Sequence, residues 1–255
     1  MCTVDVLSSQ GIQYTTCLNA KGRILTDCFM YKLNENHVLL EIPGATQETC
    51  PIIRHFKKYC VKVSVHFDNV SDLFKVYTSQ SMNKPKNTLS FGPDPRNASL
   101  GYRFLVHKKD FGKEYSENNV YDDEIDLKKR RIKLGIMDGY DYNLEVDFAK
   151  GCYLGQESVT RIEHQGVVRS RTMSTQISKN NIEDRRIVLD SDSVAVKQRG
   201  VLMSHFGNTA FTLMNLNVAR SNNLVLKCDH TIKFRPFIPE WWPENVKNSN
   251  SQEIN

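Results

Sequence analysis

The sequence predicts an α+β amino-terminal region followed by a small all-β barrel from about residue 166 to 243. Three observations carry this. Helix-like and strand-like periodicities alternate up to about residue 165, and beyond it only short strand-like runs remain. Charge marks the same break: residues 1–115 carry 15 basic and 10 acidic side chains, residues 116–149 carry 5 and 9, and residues 150–255 carry 14 and 10. Lastly, 255 residues with 40% hydrophobic and 25% charged side chains, at a mean hydropathy of −0.47, describe a globular chain that needs no disulfide or metal staple to fold. The expected organisation is an α+β region over 1–165, the barrel over 166–245 and a polar tail over 246–255.

Taken in order, residues 12–18 read as a strand and Asn19-Ala20-Lys21-Gly22 as a turn. Residues 23–33 resume an apolar, strand-compatible run, and 37–42 form another strand. Over 45–60 a helix is expected, with Ile52, Ile53, Phe56, Tyr59 and Cys60 on one face and Pro51 near the first turn. Residues 61–67 alternate, 70–78 are a further strand, and 79–95, with Pro85, Pro93 and Pro95, read as loop. Residues 122–134 are the best helix: acids fill its first turns, bases its last, and Gly135 stands where a left-handed C-terminal residue belongs. Its charges read as a solvated face. RNA binding through Lys128–Arg131 is the weaker alternative, because the acids nearly cancel the bases. After Gly166, short strands are expected at 167–177, 186–190, 193–197, 201–205, 209–219 and 231–237.

Several function classes fall away. The net charge of +5 permits an anionic ligand but predicts no nucleic-acid partner. No stretch approaches the ~18 apolar residues of a spanning helix, so no membrane partner is expected. The seven cysteines include no C-x-x-C pair and are odd in number, which argues against a disulfide framework and a zinc ribbon; free thiols suit a reducing compartment. The first residues resemble neither a signal peptide nor a transit peptide. No glycine-rich phosphate loop occurs.

Chemistry concentrates in Lys150-Gly151-Cys152-Tyr153-Leu154-Gly155-Gln156-Glu157, followed by Arg161, His164, Gly166 and Arg169. Two glycines bracket a Cys-Tyr pair, so the backbone turns tightly on both sides. Lys150 and Arg161 are cations that favour a Cys152 thiolate, the form that attacks electrophiles or binds soft metals. A buried structural cysteine is the competing reading, and on the residues alone it stands ahead. His164 lies twelve residues from Cys152, which is not the ligand spacing of a closed metal site. No stably bound metal is expected, since one thiolate holds no cluster alone.

The same segment carries a family resemblance. K-G-C-[FY]-x-G-Q-E-x-x-x-R is similar to the signature of the YgfZ-like folate-binding proteins, a branch of the aminomethyltransferase (glycine-cleavage T-protein) superfamily. Leu18-Asn19-Ala20-Lys21-Gly22-Arg23-Ile24-Leu25-Thr26-Asp27 resembles the family's L-N-x-x-G-R-x-x-x-D turn. Asp94-Pro95-Arg96 with Gly101-Tyr102-Arg103 resembles its D-P-R…G-[WY]-R segment. Arg131…Gly135-Ile136 resembles its R-x-x-x-G-[IV] helix end, and Pro239-Glu240-Trp241-Trp242-Pro243 the closing P-[DE]-W-W-P of mitochondrial members. The likeness runs from about residue 12 to 243.

The resemblance implies a ring-like T-protein fold with a tetrahydrofolate cavity at its centre. It implies an accessory role in iron–sulfur cluster assembly in the mitochondrial matrix, late in the process, supporting four-iron proteins. The implied partners are A-type scaffold proteins and four-iron client apoproteins. Carried over, Cys152 is the functional thiol, Lys150, Gln156, Glu157 and Arg161 shape its pocket, and Asn19, Gly22 and Arg23 face the folate cavity. The chain departs from the pattern in three places. The family's opening strand and helix, and the leader of mitochondrial members, do not precede Asn19, as in a short isoform or an incomplete gene model. A P-x-E-x-N stretch expected between Gly135 and Lys150 is missing, and its glutamate belongs to the folate cavity, so tetrahydrofolate is expected to bind weakly or not at all. Leu127 stands where the family has tyrosine. The alternative of a folate-dependent aminomethyl transferase requires two successive acids after the turn, and this chain has Thr26-Asp27. A non-catalytic partner-binding module anchored by Trp241 and Trp242 is a third reading, against which stands a tail packed on the barrel edge.

Overall fold

The structure, a computed structural model, describes residues 11–20, 24–42, 51–60, 64–84, 86–110, 124–137, 170–179, 182, 186–189, 199–221 and 223–247. The chain divides into two compact units, Met1–Leu127 with Asp138–His164 and Lys128–Met137 with Gln165–Asn255.

The first unit is built around a strand buried on both faces. Strands β1 (Ile12–Leu18), β2 (Ile24–Lys32) and β3 (Val38–Glu41) form an antiparallel sheet with β2 in the middle. Side chains alternate across a strand. Cys28 and Met30 therefore face one way, where they cluster with Cys17, Ile52 and Phe56. Ile52 and Phe56 stand one turn apart on helix α1 (Pro51–Lys57), so their side chains share a face. Phe29 and Tyr31 face the other way and cluster with Tyr14 and Leu105. Leu105 belongs to β6 (Tyr102–His107), the central strand between β4 (Phe74–Ser79) and β5 (Thr88–Pro93) in a second antiparallel sheet. Burial on both sides is why β2 has no clean polar alternation in the sequence.

Several expectations for this unit are corrected. Residues 64–67 are not strand: Ser64, Val65 and His66 are exposed, and no described strand pairs with them. Alternation makes a strand only where a neighbour takes up its backbone groups. The strand expected at 70–78 starts at Phe74, because the Asn69 side chain accepts from the Ser71 N–H at 3.0 Å and the Leu73 N–H donates to the Val70 carbonyl at 2.9 Å, folding that stretch into a turn. The expected loop over 79–95 contains β5; Pro93 is tolerated because it ends an edge strand. Strand β6 was not expected at all. Tyr59, expected on the buried helix face, is exposed, since α1 stops at Lys57 and the Tyr59 N–H turns back to the Phe56 carbonyl at 2.9 Å.

The second unit is the barrel. Strands β7 (Arg171–Ile177), β8 (Arg186–Leu189), β9 (Gly200–Phe206), β10 (Thr209–Met214), β11 (Leu224–Leu226) and β12 (Lys233–Phe237) close in the order β10-β7-β12-β11-β8-β9, every neighbour antiparallel. Met173, Ile177, Leu202, Ala210, Met214 and Phe234 belong to its core. The buried hydroxyls of Thr175 and Thr212 bond each other at 2.6 Å, so neither is left unsatisfied. Phe211 faces the opposite side of β10 and packs with Ile132 and Met137. Ile132 lies on helix α2 (Glu124–Leu134), whose later turns belong to this unit.

The solvated helix face is accordingly corrected at two positions. Ile132 is buried, and so is Arg131, which donates to the Ile136 carbonyl at 3.3 Å and lies 5.7 Å over the Phe211 ring. The strand expected over 209–219 ends at Met214, because Asn215 accepts from the Asn217 N–H at 2.9 Å and caps a helical turn, Leu216–Ala219. Strand β11 is too short to leave a periodic signal. The polar tail does not begin at 246: Glu244–Lys247 is a helical turn, Val246 packs on the barrel core, and the Lys247 carbonyl accepts from Arg220 at 2.6 Å. The expected strand at 193–197 lies outside the described residues. Trp242 is buried in the barrel core, and the Trp241 indole donates to the Leu134 carbonyl at 2.7 Å, which favours packing over partner anchoring for the pair.

Helix α2 ends as the sequence predicts. Gly135 has φ +71°, its N–H donates to the Ile132 carbonyl at 3.1 Å, and the Ile136 N–H donates to the Arg131 carbonyl at 2.9 Å, the paired bonds of a Schellman motif. A Cβ on Gly135 would stand 2.8 Å from the Pro239 ring, in the segment that Trp241 ties to the same helix end. At Gly207, with φ +57°, nothing lies within 4 Å of such a Cβ. The Gly207→Ala change should cost about 1 kcal/mol for the left-handed backbone alone. Gly135→Ala adds overpacking and should cost about 2–4 kcal/mol. Urea unfolding of both variants reads the difference, and equal losses would show that the Pro239 contact carries no weight.

Candidate functional site

Asp27, Phe29 and Tyr31 occupy alternate positions of β2 and so share the face turned to the second sheet. Tyr14 stands opposite Phe29 across β1–β2, and Glu41 stands opposite Phe29 across β2–β3. Two further motif segments arrive from the second sheet. Pro93 pairs with Tyr102 in β5–β6, and the Asp94 N–H donates to the Gly101 carbonyl at 2.8 Å. The loop between them is held by Asn97, whose side chain accepts from the Ser99 N–H at 2.9 Å. Asp94 and Arg103 are thereby brought side by side.

Arg103 is the centre of the cluster. Its Nη2 donates to both Glu41 oxygens, at 2.6 and 2.7 Å, and its Nη1 lies 3.5 Å from Asp94 Oδ2. Arg96 makes a fork on Asp94, with Nε 3.0 Å from Oδ1 and Nη2 2.8 Å from Oδ2. Tyr31 donates its hydroxyl to Glu41 at 2.6 Å, and Tyr14 donates to Asp27 Oδ2 at 3.0 Å. The Arg103 guanidinium lies 3.6 Å over the Phe29 ring, with Arg96 at 4.9 Å from the same ring. Arg103 is only 4% exposed. Burial works against its charge, but Glu41 first, then Tyr31 and Asp94, outweigh it and hold the guanidinium more firmly protonated than usual. Burial, reinforced by Glu41, pushes the Tyr31 phenol up, so Tyr31 remains a neutral donor.

Among the described residues the cluster holds two formal cations, Arg96 and Arg103, against three acids, Asp27, Glu41 and Asp94. Asp27 is the acid left over. It is 1% exposed, its Oδ2 accepts from the Tyr14 phenol, and its Oδ1 has no partner among the described residues. Arg103 Nε is likewise buried without a partner among the described residues. One acceptor and one donor are thus without partners among the described residues, in a network whose other named contacts are made, an arrangement costly to stability.

The structure places the sequence-predicted site residues unevenly. Asn19 sits half-buried just past the end of β1. Gly22, Arg23, Lys150, Cys152, Gln156, Glu157, Arg161 and His164 lie outside the described residues. The motif residues Asp27, Asp94, Arg96 and Arg103, quoted for their resemblance and given no role, are brought together. Tyr14, Tyr31 and Glu41 were missed. The one available signal was Glu41, an acid closing the otherwise apolar strand that begins at Val38. Among the described residues no group of three or more His, Cys, Asp or Glu is arranged to hold a metal ion, and no helix is long and apolar enough to cross a membrane.

No family model matches the chain. It is 29% identical to the mitochondrial iron–sulfur cluster assembly factor IBA57 homolog of Mycosarcoma maydis, over 94% of this chain and 76% of that one. To the mitochondrial iron–sulfur cluster assembly factor IBA57 of Mus musculus it is 25% identical, over 92% of this chain and 74% of that one. The homolog of Pyricularia oryzae is 26% identical over 72% of this chain, and there the match spans about half of the relative, 53%. In fold, the chain matches the crystal structure of glycine cleavage system aminomethyltransferase T from Bartonella henselae, with a TM-score of 0.59 at 12% identity over 91% of this chain and 76% of that one. The chain is thus similar in sequence to the mitochondrial iron–sulfur assembly factors and shares its fold with that aminomethyltransferase.

A stability measurement tests whether Asp27 is held for function. Asp27→Asn keeps the size and an acceptor for Tyr14 while removing a buried carboxyl group that has no cation partner among the described residues. The variant should melt at the same temperature as the parent or higher, by up to about 1 kcal/mol of stability, whereas an acid serving the fold would lose about 1–3 kcal/mol on the same change.

Proposed function

We propose that this chain is an accessory factor of iron–sulfur cluster assembly in the mitochondrial matrix, supporting the maturation of four-iron proteins. The observation that carries this reading is similarity to named assembly factors across 94% of the chain, on a fold of the aminomethyltransferase type. The site argues in the same direction. An aminomethyl transferase needs a second acid beside Asp27, and the position holds Thr26, buried, with its hydroxyl donating to the Asp27 carbonyl at 3.0 Å. A hydroxyl so occupied supplies no carboxylate to position a transferring group. The proposed role is therefore assembly and not catalysis.

In this reading the cluster is cargo. Cys152 supplies one thiolate, and Lys150, Gln156, Glu157 and Arg161 shape its surroundings, as the signature they belong to implies. One thiolate is too few to hold a cluster, so the cargo is shared across an interface with an A-type scaffold before it passes to a client apoprotein. Tetrahydrofolate fits the described residues only in part. Asp27 Oδ1 and Arg103 Nε are an acceptor and a donor without partners among the described residues, but both are buried and the Phe29 ring is already stacked by Arg103 at 3.6 Å. Weak binding or none is the expected outcome, and no step of the proposal depends on it.

The test is a rescue. Cells depleted of their own assembly factor receive this chain behind a mitochondrial leader, and aconitase is assayed beside a two-iron protein. Aconitase should recover with the parent chain and not with Cys152→Ser, whose melting temperature should stay within a degree or so of the parent. Full rescue by Cys152→Ser would remove the thiol from the account. Turnover by the chain as the T component of a reconstituted glycine-cleavage system would replace the proposal with the transferase reading.

A further inference from the structure

We propose that Cys17 and Cys28 form a redox-labile pair, closed to a disulfide by a small peroxide and reopened by a thiol reductant. This goes beyond the assembly reading and does not rest on it. Both thiols are wholly buried, on the face of β1–β2 turned to α1, and their sulfurs stand 4.0 Å apart. Thr15 is opposite Cys28 and Cys17 is opposite Thr26, so the two cysteines are diagonal neighbours across one antiparallel pair. Diagonal positions are longer than a relaxed disulfide prefers, and the sulfurs must close to about 2.05 Å. The pairing is already irregular at this point: the register shifts between Cys17 and Leu18. A bulge gives the strand local freedom to twist toward its partner. A bond formed under such strain is readily reduced again, which separates a labile cross-link from a structural one.

The chemistry balances with one peroxide. A thiolate attacks a peroxide oxygen, the O–O bond breaks, and the departing hydroxide takes up the thiol proton as water. The resulting sulfenic acid is attacked at sulfur by the second cysteine; the S–S bond forms, the S–O bond breaks, and a second water leaves. Two thiols are oxidised by two electrons and one peroxide is reduced to two waters. The oxidant must be small because neither sulfur is exposed. Access therefore requires a local opening that parts β1 from β2.

The placement gives the cross-link a consequence. Asp27 and Phe29 flank Cys28 on β2 and point to the opposite face, and the Tyr14–Asp27 bond spans the same two strands. Drawing Cys17 toward Cys28 shears β1 along β2, and the Tyr14–Asp27 contact moves with it. Oxidation on the helix side is thereby felt on the polar side.

The experiment treats the purified full chain with a few equivalents of hydrogen peroxide under native conditions, then denatures, alkylates and maps peptides by mass spectrometry. The expected product joins the Cys17 and Cys28 peptides, lighter by two hydrogens, and disappears on dithiothreitol treatment. It should be missing from Cys17→Ala and Cys28→Ala. Hydrogen exchange on the parent should differ between oxidised and reduced forms within 12–18 and 24–32. Recovery of both cysteines fully alkylated while Cys228 has been oxidised would overturn the proposal. So would a cross-link from either cysteine only to another thiol such as Cys152, and unchanged exchange in the cross-linked form would overturn the coupling to the polar face. The parent chain alone decides these outcomes, so a variant that fails to fold leaves the test intact.

Discussion

The guanidinium of Arg103 is the constraint around which the first unit is organised. A buried cation is tolerated only when its charge is met and most of its hydrogen bonds are made, and here that demand reaches into two separate strands and one loop. Glu41 comes from the end of β3, Phe29 from the middle of β2, and Asp94 from the turn after β5. Each is fixed in register by the sheet that carries it. The two sheets of the unit are thus joined by an apolar cluster around Tyr31 and Leu105 and by a charged one beside it. The apolar cluster supplies burial, which is non-directional; the charged one requires a particular geometry.

A strand with two buried faces lets one element serve two purposes. The odd-numbered positions of β2, Asp27, Phe29 and Tyr31, belong to the polar network, while Cys28 and Met30 belong to the helix-facing core. A shift of one residue would exchange the two sets, so the register of β2 is strongly specified. It also means that the Asp27 oxygen, without a partner among the described residues, cannot be relieved by small slippage. The leftover acid is therefore a fixed feature, and its cost is offset by the packing on both sides of the strand.

Much of the fold was legible. The barrel, the helix ending at Gly135 and the three opening strands all follow from periodicity and turn chemistry, which act locally. What was missed shares one cause. Strand β6 carries Arg103 in the midst of apolar residues, and β5 ends in Pro93, so both look unlike strands until a partner sheet is present. The site was legible only through its motifs. Asp27, Asp94, Arg96 and Arg103 could be picked out as pieces of a resemblance, but nothing in the chain order says that residues 27 and 103 share one network. Tyr14, Tyr31 and Glu41 read as ordinary strand residues, because a hydrogen bond across a sheet leaves no trace in the sequence of either strand. The signature around Cys152 shows the reverse case, a segment whose chemistry is legible from its residues and whose placement lies outside the described part of the chain.

The most direct test of this account is a double-mutant cycle between Glu41 and Arg103, read by urea unfolding of Glu41→Gln, Arg103→Met and the pair together. If Arg103 is satisfied chiefly through Glu41, Glu41→Gln leaves a buried guanidinium short of its charge partner, and the double variant recovers part of that loss. The coupling should then be about 1–3 kcal/mol. Losses that add to within about 0.3–0.5 kcal/mol would mean that the two residues act independently, and that the organising role assigned to the guanidinium is wrong.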